Sequence, residues 1–341
     1  MFAEDRQGGD AGVATLSDSL DHFHSEIGDH PYWTESSWFS WAIPEKGICG
    51  LFWNHFRPNM NCLVGGPAMW DGSGQQGWGQ HVWDFPFFDF QTMRVLPEGR
   101  WGVDYDKYDF TTPWTMSIRT LEPLRSYRLG YDREGFRLDL VYTAIAAPNV
   151  MGAPDAEELK TAFRSHFEQP GRIRGTIELD GERHEVDCFS IRDGGHGPRF
   201  LETAAPGGYA WSTGNERTGW HILAPNAADG HVAKVVGGYI LRDGQMSPIV
   251  EGTRRVLGRV GPRPDAIEVK ARDQLGRELH AVGRAQTAAE FMLFPDRGQW
   301  WTLFRWDYDG VEGAVGEDQE YYGIQEFRRW RRAGPAAWRR R

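Results

Sequence analysis

The stretch from His166 to Arg199, HFEQPGRIRGTIELDGERHEVDCFSIRDGGHGPR, reads as one β-hairpin ending in a dense polar cassette. Asp180-Gly181 supplies the two positive-φ positions of a tight turn, so Leu179 faces Glu182, Ile177 faces His184, Gly175 faces Val186 and Ile173 faces Cys188. That register gathers the apolar side chains on one face. The other face sets Glu178 against Arg183, Thr176 against Glu185 and Arg174 against Asp187, all opposite charges or hydrogen-bonding partners. Counting by two from Cys188 reaches Ser190 and then Arg192, so the strand carries a guanidinium inward just before Asp193-Gly194-Gly195-His196-Gly197-Pro198-Arg199. A buried arginine requires a partner, and Asp193, Glu168 or a bound ligand are the suppliers nearest in sequence.

Outward from this hairpin the same grammar repeats. Turn chemistry at 97–99, 132–135, 243–244, 273–276 and 309–310 separates strand-like runs such as FRLDLVYTAI (136–145), HVAKVVGGYIL (231–241) and AIEVKARD (266–273). An antiparallel meander follows, with one helical candidate from Asp155 to Phe167, which places His166 at a helix end. The small, proline-bearing connector from Ala146 to Pro154 divides the chain near residue 150. The expected organisation is an N-terminal segment over 1–25, partly flexible, a first β domain over 26–150, a second over 151–332 and a basic tail over 333–341. A large β protein without exact repeats suggests barrels or a sandwich, and its abundant rings (16 Trp, 11 Tyr, 19 Phe) favour barrels with a cavity, although most of them serve as core.

At 341 residues the chain buries a core without staples. Cys49, Cys62 and Cys188 form neither a disulfide framework nor a zinc spacing, which suits a reducing compartment and no metal. The first residues lack the basic and apolar regions of a signal peptide, and no segment approaches the ~20 apolar residues of a membrane span, so the cytoplasm is expected. A net charge of −10 argues against general nucleic-acid binding, yet the last fifteen residues, FRRWRRAGPAAWRRR, hold seven arginines. That tail is either a solvated terminus or a peripheral contact for an anionic membrane surface or partner. Nothing in the sequence sets the oligomeric state.

The pattern of His166, Glu168 and Gln169, then Gly175, Asp180-Gly181, Arg192-Asp193 and Gly197-Pro198-Arg199, resembles the second half of the carotenoid 1,2-hydratase (hydroxyneurosporene synthase-like) and AttH-like proteins. The resemblance extends to 33–39 and Arg57-Pro58-Asn59, and to 306–310 with 316–320. It implies an all-β, mainly antiparallel fold of two tandem lipocalin-like β-barrels with few short helices, the hairpin lying in the second. It also implies chemistry on hydrophobic polyenes. Where the family cassette reads Arg-Asp-His-Ser-Trp-Gly-x-Arg, this chain has Gly194-Gly195-His196, so the family histidine is absent from its usual place and His196 lies two positions later.

Hydration or isomerisation of an alkene needs a proton donor in an apolar cavity and a base or oriented water opposite the developing cation. Asp193, His196, Glu168 and His166 are the acids and bases around the cassette, and Arg192 and Arg199 suit orientation of a carboxylate or polar substituent. A purely structural account stands beside this one: Arg192 with Asp193, and Arg199 with Glu168, as buried pairs. Glu317 in the acidic run 317–320, with Trp306 and Tyr308, either closes the same cavity or lies in a solvated loop. In the first half, Trp83 and Tyr105 belong to a set of rings and carboxylates suited to stabilising a carbocation, or to ordinary core. No EF-hand spacing, phosphate loop, GxSxG elbow or HExxH helix is present. The expected function is a cofactor-independent lyase or isomerase of hydratase type acting on a hydrophobic isoprenoid, polycyclic or aromatic molecule. The alternative is a non-catalytic carrier or sensor of such a ligand.

Overall fold

Alternating apolar and charged residues on either side of Asp180-Gly181 produce the expected hairpin in a computed structural model. Asp180 and Gly181 adopt φ of 51° and 86°, and Leu179↔Glu182, Ile177↔His184, Gly175↔Val186 and Ile173↔Cys188 are cross-strand partners. The described residues are 18–24, 30–74, 78–90, 93–95, 107–151, 165–199, 207–225, 232–294 and 297–333. The turn at 97–99, Tyr105, residues 152–164 of the expected connector and helix, and residues 334–341 of the tail lie outside them.

The architecture is all-β and antiparallel apart from one short parallel pairing, with one α-helix among the described residues. The first sheet runs Phe87–Phe88, Cys62–Trp70, Ile48–Arg57, Trp33–Ile43, Glu182–Pro198, Ser165–Leu179, Phe136–Ala144, Ser126–Arg133, Ser117–Glu122, Phe110–Thr111. The second runs Gln245–Val260, Gly237–Arg242, Thr218–Pro225, Gly207–Asn215, Val311–Gly323, Arg297–Tyr308, Glu278–Phe294 and Arg263–Asp273, and the last of these pairs back to the first, closing an eight-stranded barrel. Closure leaves those strands no free edge.

The division expected near residue 150 does not follow the sheets. The hairpin, expected in the second barrel, sits in the middle of the first sheet, paired to Trp33–Ile43 on one side and Phe136–Ala144 on the other. The first sheet therefore draws its strands from residues 33 to 198 and the second from 207 to 323, with the two-residue strand Gln80–His81 added in parallel to Glu278–Phe294. His166 and Phe167, expected at a helix end, begin the strand Ser165–Leu179.

The N-terminal segment is docked rather than loose where it is described. Asp21 and Phe23 are buried, Phe23 stacks on Tyr108 at 4.5 Å between ring centroids, and Asp21 bonds deep inside the first sheet. At the other end, part of the arginine-rich run forms the helix α1 (Ile324–Ala333), which lays Phe327 on Trp300 at 4.7 Å. No helix among the described residues is long and apolar enough to cross a membrane.

Candidate active site

Side-chain alternation along Glu182–Pro198 splits the cassette between two faces. Arg192, Gly194 and His196 point into the first sheet's own core, whereas Asp193 points, with Glu168 directly across from it and His166 beside it, toward the second barrel. The four residues expected around one volume thus serve two. The glycine pair has a steric reason. A Cβ on Gly194 would stand 2.4 Å from the Phe167 ring, and one on Gly195 2.8 Å from His166 Nδ1.

Arg192 is only 2 % exposed, and its partners are neither Asp193 nor Glu168. Nε donates to Gln169 Oε1 at 2.7 Å, and Nη1 and Nη2 donate to Asp21 Oδ1 at 3.1 Å. The guanidinium also lies over the Tyr127 and Phe167 rings, at 4.1 and 4.8 Å from their centroids. The second oxygen of Asp21 takes the Tyr127 hydroxyl and, at 2.5 Å, the Leu124 amide. This carboxylate is held by four donors, so Arg192 has a structural partner.

Between the sheets lies a different cluster. Glu168 is fully buried; its Oε1 is 2.7 Å from His166 Nε2, and its Oε2 accepts the Tyr209 hydroxyl at 2.5 Å. His221 Nε2 stands 3.9 Å from Glu168 Oε1, and Asp193 Oδ2 is 4.0 Å from His166 Nε2. The His221 ring packs on Tyr209 at 4.5 Å and faces Tyr239 at 5.9 Å, while Trp38 meets both Tyr209 and Trp301. Both ring nitrogens of His221, the Tyr239 hydroxyl and the Trp38 indole N–H are buried with no hydrogen-bond partner in the protein. Buried polar atoms are rarely left so, and these belong to His221 beside Glu168 and to rings packed on His221 and Tyr209.

Burial sets the protonation states. It pushes the Glu168 carboxyl well above its ordinary range, partly offset by the Tyr209 hydrogen bond. It raises Asp193 to about 7, with His166 opposing and Glu168 reinforcing the rise. It lowers His166 to about 4 and takes His221 well below its usual value. Burial therefore favours the neutral forms of both Glu168 and His166, which share one short hydrogen bond, beside an Asp193 raised to about 7. Arg199 acts on the cluster through its charge, which lowers Asp193.

The remaining expected residues separate. Glu317 lies on a buried strand, not in a solvated loop; its carboxylate accepts from Ser40, Trp211, Trp301 and Gln319 and faces the first sheet across the same seam as Glu168. Its neighbours Asp318 and Glu320 turn the other way and bind Arg254. Trp306 and Tyr308 pack against Trp220 inside the second barrel and do not join the cluster. Trp83 is 86 % exposed, which removes it from any enclosed site. His196 stacks on His24 at 3.3 Å, on the opposite face of its strand from Asp193. Tyr209, His221 and Tyr239 are not foreseen from sequence. Their signal is a polar or titratable ring inside the apolar strand runs YAWS, WHIL and GYIL.

Two groups present ligand atoms close enough to hold a metal ion, His166 with Glu168 and Asp193, and His24 with Glu35 and His196. Either is a chemically reasonable donor set.

A similar two-sheet, all-β fold occurs in solved structures of low sequence identity. A putative AttH from Nitrosomonas europaea superposes with a TM-score of 0.57 over 87 % of this chain and 95 % of its own, at 14 % identity. CghA superposes at 0.51 over 85 % and 88 %, at 10 % identity, and a kievitone hydratase from Nectria haematococca at 0.49 over 90 % and 94 %, at 8 %. No curated protein matches the chain in sequence. Residues 17–316 match the domain of unknown function DUF7064, and the chain belongs to that family.

Proposed function

We propose that the protein is a cofactor-independent lyase or isomerase of hydratase type, working by general acid/base catalysis on a hydrophobic small molecule in the seam between the two sheets. The observation that carries this reading is the fully buried Glu168 carboxyl, held by His166 and Tyr209 and 3.9 Å from a His221 Nε2 with no hydrogen-bond partner in the protein, with burial favouring its neutral form. A carboxylic acid kept neutral in an apolar, ring-lined site is the donor that alkene protonation requires. CghA, whose fold is similar, has been crystallised with Sch210972, which agrees with a fold of this kind holding an organic ligand.

In the hydration direction Glu168 delivers its proton to one alkene carbon, and the π pair forms the new C–H bond. The cation that develops faces Trp38, Tyr209 and Trp301, whose ring faces stabilise positive charge. Water adds to the second carbon and yields its proton to Asp193. His166, neutral and in contact with both carboxyl groups, passes that proton back to Glu168. The balance is alkene plus water to alcohol; loss of a different proton from the cation gives isomerisation.

The test begins by identifying a bound hydrophobe by native mass spectrometry of the full-length protein. It is then followed in D2O with wild type and with Glu168→Gln. The expected result is deuterium incorporation at carbon by wild type, slowed roughly 10²–10⁴-fold in the variant. A ligand that wild type retains unchanged would make the protein a carrier, and equal turnover by both proteins would remove Glu168 from the chemistry.

A further inference from the structure

We propose that His24, Glu35 and His196 form a binding site for a divalent transition-metal ion of the zinc class, which clasps the N-terminal segment over the mouth of the first sheet. One nitrogen from each imidazole and one carboxylate oxygen lie within 4.8 Å of one another. Glu35 and His196 are direct cross-strand partners, and His24 arrives from the docked segment behind the short turn Asp18–Asp21.

The case rests on the surroundings of Glu35. Its side chain is only 4 % exposed, and among the described residues no lysine or arginine pairs with it. Its partners are the Trp33 indole N–H at 2.9 Å, the His24 amide at 3.2 Å and the His24 ring at 3.0 Å. The side chain paired with it that can carry positive charge is His24, and a dication held by both would compensate the carboxylate with the imidazole neutral. Trp33 and the His24 amide both hold Oε1, which orients the carboxylate in the way that outlying hydrogen bonds orient metal ligands.

The donor set suits the ion. Two imidazoles and one carboxylate bind Zn²⁺ with bonds of ~2.1 Å, leaving a fourth position for water. A cavity of about 20 Å³ borders all three side chains, space for about one water molecule. His24 Nδ1 and Glu35 Oε2 lie 3.0 Å apart and need to separate only to the roughly 3.4 Å between neighbouring ligands of a tetrahedral ion. The imidazoles are stacked at 3.3 Å with planes 29° apart, so coordination requires them to turn about χ2 until their lone pairs converge. His24 is 24 % exposed, which gives the ion a route in from solvent.

The test uses Zn²⁺ with the metal-stripped full-length protein. Calorimetry is expected to give saturable one-to-one binding, lost in His24→Ala and in His196→Ala and retained in His166→Ala. Trp33→Phe, which removes only the indole N–H, should weaken binding roughly 10–100-fold. Saturating Zn²⁺ should also slow amide exchange over residues 20–24 in wild type and leave it unchanged in His24→Ala. Because His24 lies on the partly exposed segment, that variant keeps the test valid if His196→Ala misfolds. Absence of one-to-one binding overturns the proposal. So does binding that survives loss of His24 but not of His166, which would place the ion at the seam.

Discussion

At the scale of single residues, the decisive quantity is how far burial moves a carboxyl group. Asp193 is raised from its ordinary 3.8 to about 7, so the folded state holds its proton more tightly than the unfolded chain does. Its contribution to stability is complete below the unfolded value and is lost as pH rises toward 7, a loss on the order of 4 kcal/mol. Asp193→Asn cannot titrate and should escape that loss. Relative to wild type, urea unfolding of the variant should shift toward greater stability between pH 4 and pH 8, and parallel profiles would show that Asp193 is not raised. In the reaction, Asp193 must be ionised to accept a proton, so kcat/KM should climb through pH 7 in wild type and lose that limb in the variant.

Elements bring such residues together by pairing and alternation. The hairpin's register was legible because its evidence is local: an Asp-Gly turn and side chains that match across a few residues. Legibility fails where the strands run between two packed layers. Near His166 and Asp193 both faces are covered, so the two-residue alternation disappears and the segment resembles a helix end. Arg192 was correctly placed inward, but its partner Asp21 lies far away in the sequence, in a segment with no pattern of its own. Arg192→Leu should cost about 3–5 kcal/mol by leaving Asp21 buried without its cation. Protease should cut faster near residues 18–24, and combining the change with Asp21→Asn should recover part of the loss in a double-mutant cycle.

Over the whole molecule, chain order and spatial order disagree. The hairpin occupies the middle of the first sheet, between the strands Trp33–Ile43 and Phe136–Ala144. A fragment ending at residue 150 would lack that centre and expose two long unpaired edges. The expected outcome is a fragment 1–150 without the dispersed NMR spectrum of a folded β domain, and a well-dispersed spectrum would restore a boundary at 150. The seam explains why the candidate site was only half visible. Glu168, His166 and Asp193 are contributed by the hairpin, but Tyr209, His221 and Tyr239 come from the other barrel, and no spacing rule links them.

Fold class, the hairpin register and the inward turn of Arg192 can be read along the chain, because strand period and turn conformation depend on neighbours a few residues apart. Packing of the two sheets is what raises the Glu168 carboxyl, gives Arg192 to Asp21, and sets His196 with His24 and Glu35 rather than with Glu168. Those outcomes depend on burial and on through-space partners, and both exist only once the two sheets have packed.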